Sequence, residues 1–129
     1  LDPDRYLTLQ PHQTQLGFFG LVGQADVILD SILWSGNNTS MEAIACEKPL
    51  VTLPGPYMRS NHSCALLRFL GVTATIATDF EAYIRLAAGL GTDTDFRDDL
   101  VQRIAARKRT IFYDDSTVRA LESFMLGLF

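Results

Sequence analysis

The sequence predicts an α/β fold: a parallel sheet flanked by helices, with a helical C-terminal tail. Three observations predict it. Residues 25–55 (ADVILDSILWSGNNTSMEAIACEKPLVTLPG) hold a strand-like apolar run at 27–29, a polar turn at 35–38, a helix-like run at 39–46 and a second buried-strand pattern at 50–53. Two strands joined through a helix run parallel, since a tight hairpin can only reverse the chain. Helix-like segments then follow one another to the end, giving the order βαβαβα followed by α and α. Right-handed crossovers are the default for such a sheet.

Each element has its own local reason. Residues 1–4 read as an irregular entry from upstream sequence, and residues 5–10 (RYLTLQ) as a short strand. Pro11 begins a turn, and Thr14 caps a helix over 15–22 that buries Leu16, Phe18, Phe19, Leu21 and Val22, with Gly23 as its C-cap. After the central unit, Pro54-Gly55-Pro56 forces a loop. Ser60 or Asn61 caps a helix to Leu70, with Leu66, Leu67, Phe69 and Leu70 inward and Gly71 ending it. Residues 72–77 suit a short strand. Asp79 opens a helix over 80–88 with Tyr83, Ile84 and Ala87 on one face, and 89–94 read as a loop. An amphipathic helix spans 96–109, burying Phe96, Leu100, Val101 and Ile104 and turning Arg103, Arg107, Lys108 and Arg109 outward. Its acidic first turn and basic last turn complement the helix dipole. Ser116 caps a last helix with Val118, Leu121, Phe124, Met125 and Leu128 at helical spacing, expected to pack on the sheet.

Composition bounds the function. With 129 residues and 47% apolar content, the chain is expected to be one domain, or part of one, with a real core. The net charge of −4 argues against nonspecific nucleic-acid binding. Nine Arg against two Lys suit pairing with carboxylates or phosphates. Cys46 and Cys64 fall in apolar helix-like runs and read as reduced core residues. With no span-length apolar run and no signal peptide, a cytoplasmic protein without membrane contact is expected. The chain begins at Leu1 rather than Met and is expected to be a fragment of something longer.

The candidate chemistry gathers where strands end and helices begin, the place ligands occupy in parallel sheets. In the turn leading into the helix over 39–46, Gly36 offers backbone freedom. Asn37, Asn38, Thr39 and Ser40 place short polar side chains at a helix start, where free N–H groups favour an anion. Two readings stand open for this turn: an anion site suited to a diphosphate, or a capping box in which Glu42 reaches back to the Thr39 N–H. The spacing matches neither a P-loop nor a dinucleotide fingerprint. A second turn, residues 54–63, emerges on the same sheet edge, and its Arg59 and His62 could reach a phosphate. No local carboxylate supports His62 as a general base. Asp93 and Asp95 resemble a metal pair but sit where a helix cap belongs, so no metal site is assigned. The catalytic residue is unassigned.

The ordered set ADVILDS, SGNNTSMEAIACEKPLVTLPGPYMRSNHS and LLRFLG resembles the C-terminal catalytic region of the SPINDLY-like, TPR-associated O-linked N-acetylglucosamine transferases, especially bacterial members. The resemblance covers nearly the whole chain. It implies a GT-B fold, with two Rossmann-like domains and the active site between them, of which this chain is a C-terminal, nucleotide-sugar-binding part. It implies inverting transfer from UDP-N-acetylglucosamine, or another UDP-sugar, to protein Ser or Thr, with no cofactor beyond the donor. The missing partners are an N-terminal catalytic domain and a TPR region. Asn38 and Thr39 match the pair that holds the diphosphate, and Glu42 matches the acidic residue on the ribose. Gln13 lies near the backbone that reads uracil. The chain departs from animal members at Asn37 (His there), at Asn38 (Thr), at Glu42 (Asp), at Gln15 (a diphosphate-binding Lys) and at Phe18 (a His stacked on uracil). Phe18 can still stack, and Arg59 or His62 can replace the missing charge. A non-catalytic nucleotide-sugar-binding module and a UDP-sugar epimerase-like enzyme are the alternatives.

Overall fold

A computed structural model describes residues 2–128. The elements run α1 (Pro3–Tyr6), α2 (Gln15–Gln24), β1 (Ile28–Leu29), α3 (Asn38–Ala45), β2 (Leu50–Val51), α4 (His62–Leu70), α5 (Phe80–Thr92), α6 (Thr94–Arg107), α7 (Arg109–Phe112) and α8 (Ser116–Leu126), with a 3₁₀ turn at Met58–Ser60 before α4. β1 and β2 pair in parallel, Ile28 against Leu50 and Leu29 against Val51. A parallel bridge between Thr52 and Ile76 extends the sheet by one more segment. The strand expected over 72–77 is therefore present as a single bridge, held by Thr52 N–H to Thr75 O (3.2 Å) and Ala77 N–H to Thr52 O (2.8 Å).

The strand expected over 5–10 does not form. Its first part is the helical turn α1, and the rest is irregular, with Leu7 and Leu9 exposed. An alternating pattern makes a strand only where a neighbour accepts its ladder. Among the described residues, the sheet neighbours of β2 are β1 and the 76 segment.

The core lies between β2 and helices α3 to α6: Ile44, Val51, Leu70, Val72, Tyr83, Leu90, Leu100 and Ile104 are buried in one cluster. Burying each large aliphatic contributes about 1.5–3 kcal/mol. Phe69 and Ile84, expected inward, are exposed instead. Each lies beside the buried stripe of its helix: Leu67 and Leu70 carry the α4 contact, Tyr83 and Leu90 that of α5.

Several ends follow the expected chemistry. Thr14 caps α2 through Gly17 N–H (3.2 Å), and Asp79 caps α5 through Ala82 N–H (2.7 Å). The Ala82 N–H, and then the Thr78 hydroxyl, hold the Asp79 carboxyl below its ordinary pKa. Asp93 caps α6 through Phe96 N–H (3.0 Å), which accounts for it without a metal. Gly71 ends α4 in the left-handed conformation, φ 67°.

Other ends differ. Gly23 lies inside α2, and Ala25 closes that helix through Val22 O. α5 runs through Gly89 and Gly91 to Thr92, so the loop expected over 89–94 shrinks to the Asp93 junction. Asp115, not Ser116, occupies the N-cap position of α8. Arg107 and Lys108 do not simply face water. Arg107 Nη1 donates to Leu70 O (3.0 Å) at the end of α4, and Lys108 Nζ donates to Ala45 O (3.0 Å) at the end of α3 while pairing with Glu47 (2.8 Å). α8 is not packed on the sheet: none of its residues is buried. Cys46 and Cys64 are free thiols.

Candidate functional site

β1 delivers the chain into Asp30, a buried carboxylate at the strand's C-terminal end. Burying a charge is costly unless its oxygens are satisfied. Asp30 Oδ2 accepts from the Ser35 hydroxyl (2.7 Å) and the Thr52 hydroxyl (2.7 Å), and Oδ1 accepts from Gly36 N–H (2.8 Å). The Tyr83 hydroxyl donates to the Asp30 carbonyl (2.8 Å). Burial, and then the Asp30 charge, push the Tyr83 phenol above its ordinary pKa.

A cluster of hydroxyls extends from this carboxylate and ties the start of α3 to the start of α4. Ser35 Oγ accepts the Ser63 N–H (2.9 Å), Ser40 and Ser63 lie 2.7 Å apart at their hydroxyls, and the Ser40 hydroxyl donates to Gly36 O (2.9 Å). Ser35 N–H donates to Arg59 O (2.9 Å). The two turns named from the sequence thus share one edge of the sheet, as expected. Asp30, Ser35, Ser40 and Ser63 build that edge; the sequence named Ser40 among the donors of the helix start, and gave Asp30, Ser35 and Ser63 no functional role. The available signal was an Asp directly after a buried strand, followed by Ser and Gly.

The α3 start is open. Its N-cap residue is Asn37, whose side chain makes no capping bond. The capping box expected between Thr39 and Glu42 does not form, because Thr39 is already inside the helix, which begins at Asn38. Gly36 is needed for space and not for an unusual φ: a Cβ there would collide with Thr39 Oγ1 and stand 3.1 Å from Ser40 Oγ. Asn37, Asn38 and Thr39 are exposed at this start.

One helical turn on, Glu42 lines a cavity of about 460 Å³ together with Gln13, Gln15 and Phe18. His12, Thr14 and Leu21 complete its walls with residues 10 and 11. α2 packing against α3 assembles it, so residues some thirty positions apart meet. Its lining joins the Phe18 ring, the His12 imidazole, the amides of Gln10, Gln13 and Gln15 and the Glu42 carboxylate, a set suited to a flat base with a hydroxylated sugar. Arg59 and His62 do not line this cavity. Arg59 stands on the 3₁₀ turn, and His62 opens α4, half-buried. Among the described residues no carboxylate pairs with His62. No group of three or more potential metal ligands occurs among the described residues.

A family model, glycosyl transferase family 41, matches residues 21–119, which include the α3 start and both strands. This chain belongs to glycosyl transferase family 41. Within that family it is similar to the UDP-N-acetylglucosamine–peptide N-acetylglucosaminyltransferase of Caenorhabditis elegans, 32% identical over 91 residues, covering 70% of this chain and 8% of that protein. It is similar also to the probable UDP-N-acetylglucosamine–peptide N-acetylglucosaminyltransferase SPINDLY of Hordeum vulgare, 27% identical over 100 residues, covering 76% of this chain and 11% of that protein. Among solved structures, a mutant O-GlcNAc transferase from Thermobaculum terrenum superposes with a TM-score of 0.79 at 30% identity, covering 91% of this chain and 23% of that one. This family 41 chain therefore spans about a tenth of the curated relatives it matches. Its fold is a Rossmann-like part of a GT-B C-terminal domain. No helix among the described residues is long and apolar enough to cross a membrane.

Proposed function

We propose that this chain is the nucleotide-sugar-binding part of a larger cytoplasmic glycosyltransferase, holding UDP-N-acetylglucosamine or a related UDP-sugar for inverting transfer to Ser or Thr of a protein. The observation that carries the reading is the joining of Gln13, Gln15, Phe18 and Glu42 in one cavity, a helical turn from an uncapped α3 start. Uracil stacks on Phe18, the ribose hydroxyls meet Glu42, and the diphosphate lies against the α3 start. There the N–H groups of the first turn have no intrahelical acceptor, and the helix dipole favours negative charge. Asn38 and the Thr39 hydroxyl add donors at the same place. Charge gathers on the leaving UDP as the sugar departs, so donors fixed beforehand at that end lower the barrier. The names of the relatives support the donor and the peptide acceptor.

The rest of the reaction belongs to a partner half, an N-terminal catalytic domain, with a TPR region in the larger protein. Thr39→Val tests the donor site, since it keeps the shape and removes the hydroxyl. A hydrogen bond to a charged group is worth about 1.5–3 kcal/mol. Calorimetry should show UDP affinity falling about tenfold with the melting temperature little changed. Unchanged UDP affinity would return the α3 start to a purely structural role.

A further inference from the structure

Arg59 occupies the 3₁₀ turn between β2 and α4. Its guanidinium lies 4.7 Å from the centre of the Tyr57 ring and 5.5 Å from that of Trp34. Both rings are exposed, Trp34 at 70% and Tyr57 at 56%. Among the described residues no carboxylate pairs with Arg59, as is also true of Arg68, Arg85, Arg107 and Arg109. Both rings bear on one cation, whereas Arg5 and Arg109 each lie over a single ring. A guanidinium held by ring contacts keeps its N–H donors in its own plane. That edge matches two oxygens of one phosphate or carboxylate.

The backbone fixes where the group stands. Ser35 N–H donates to Arg59 O (2.9 Å), and Trp34 immediately precedes Ser35. The turn carrying the arginine is itself braced: the Asn61 amide donates to Gly55 O (2.7 Å) and Tyr57 O (2.6 Å), and the Ser60 hydroxyl donates to Tyr57 O (2.7 Å). The cation is thus presented by a fixed loop, beside the turn that leads into the uncapped start of α3.

We propose that Trp34, Tyr57 and Arg59 form an aromatic-held fork for a phosphate group of the bound nucleotide diphosphate. Arg59 makes the contact, and Trp34 and Tyr57 are positioning residues. The inference rests on the nucleotide-sugar reading for the identity of the anion, while the fork rests on the ring contacts and the missing carboxylate. Phosphate is favoured over carboxylate because the neighbouring helix start supplies further donors for a second, linked anionic group.

The chain contains a single tryptophan, Trp34, so its fluorescence reads the stack directly. The experiment titrates the chain with UDP, uridine and inorganic pyrophosphate, following Trp34 emission and heat. UDP and pyrophosphate should change Trp34 emission and uridine should not. Arg59→Ala should weaken UDP and pyrophosphate about tenfold and leave uridine affinity unchanged; Arg59→Lys, which keeps charge and loses the fork, should fall between. Tyr57→Ala and Trp34→Ala, read by heat, should weaken both phosphate ligands about threefold, and Trp34→Phe should restore the wild-type value. Arg59→Ala that leaves UDP and pyrophosphate unchanged, or that weakens uridine equally, overturns the fork. If the wild-type chain binds neither UDP nor uridine, the nucleotide reading has failed, and pyrophosphate decides alone: Arg59-dependent binding supports the fork, and no binding overturns it.

Discussion

At the scale of single residues, the site depends on small groups doing spatial work. Gly36 is the clearest case. The sequence suggested backbone freedom, yet what the position requires is room, since a Cβ would collide with Thr39 Oγ1. Thr39 is exposed and can rotate away. Gly36→Ala should therefore cost little stability, within about 1 kcal/mol, while turning the Thr39 hydroxyl from its place at the helix start. UDP titration combined with a thermal melt checks this: weaker binding with a near-normal melt is expected, and a large loss of stability would contradict it. Tyr83 gives a pH prediction. Its folded pKa is raised above the ordinary 10.0, first by burial and then by Asp30. Between the ordinary and the raised value the unfolded chain has lost the phenolic proton and the folded chain retains it, so stability falls as pH rises through that window. Below 10.0 the contribution is fully present. Urea melts from pH 8 to 11 should show a decline beginning near that ordinary value, and Tyr83→Phe should remove this component. The sequence does not show this pairing, because Tyr83 and Asp30 lie 53 positions apart in the chain.

At the scale of elements, helix starts were more legible than helix ends. Thr14, Asp79 and Asp93 cap through bonds three residues long, which a local reading can see. The ends of α3 and α4 are completed from far away, by Lys108 over 63 positions and Arg107 over 37. A basic last turn on α6 predicted a dipole effect, but only packing aimed those cations at the ends of other helices. Gly71 was legible as a cap, and its left-handed backbone makes Gly71→Ala costly, by about 1–2 kcal/mol. The Arg107 side chain occupies the space where that Cβ would go, so the same change should also loosen the α4–α6 contact. A chemical melt of Gly71→Ala measures it, and a loss under about 0.5 kcal/mol would show that the strain is relieved elsewhere. α8 makes the opposite prediction. Its apolar residues were read correctly as helical, but none is buried. Deleting residues 116–129 should leave the melting temperature within a degree or two, about the effect of ordinary surface changes. A large drop would mean that the tail packs against the core in solution.

At the scale of the whole molecule, this family 41 chain spans 8% and 11% of two relatives and 23% of a solved neighbour. We expect the chain alone not to transfer sugar. It gathers candidate donor contacts, and among the described residues it pairs no carboxylate with His62 to make a general base. Aligning donor, acceptor and base supplies about 7–11 kcal/mol of barrier reduction, and under the proposed two-half reading the acceptor site lies outside this chain. Incubation with radiolabelled UDP-N-acetylglucosamine and a Ser/Thr-rich peptide should leave the peptide unlabelled; labelling near the rate of a complete relative would refute the two-half argument. Whereas Leu16 of α2 and the apolar face of α8 are exposed, the sequence by itself determined the α/β class, the parallel β1–α3–β2 unit, the inward residues Leu67 and Leu70 of α4 and Leu100 and Ile104 of α6, and the placing of two polar turns on one sheet edge. Those follow from periodicity, turn residues and chain direction, which are local. Only the tertiary structure decided that residues 5–10 form no strand, that the capping box at Thr39 stays open, and that Asp30 anchors the edge through Ser35 and Thr52. It alone brought Gln13, Gln15 and Phe18 to Glu42, and Arg59 to Trp34. The physical reason is the same in each case: a ladder, a buried charge or a cavity needs a partner from elsewhere in the chain, and spacing along the sequence does not specify which segment supplies it.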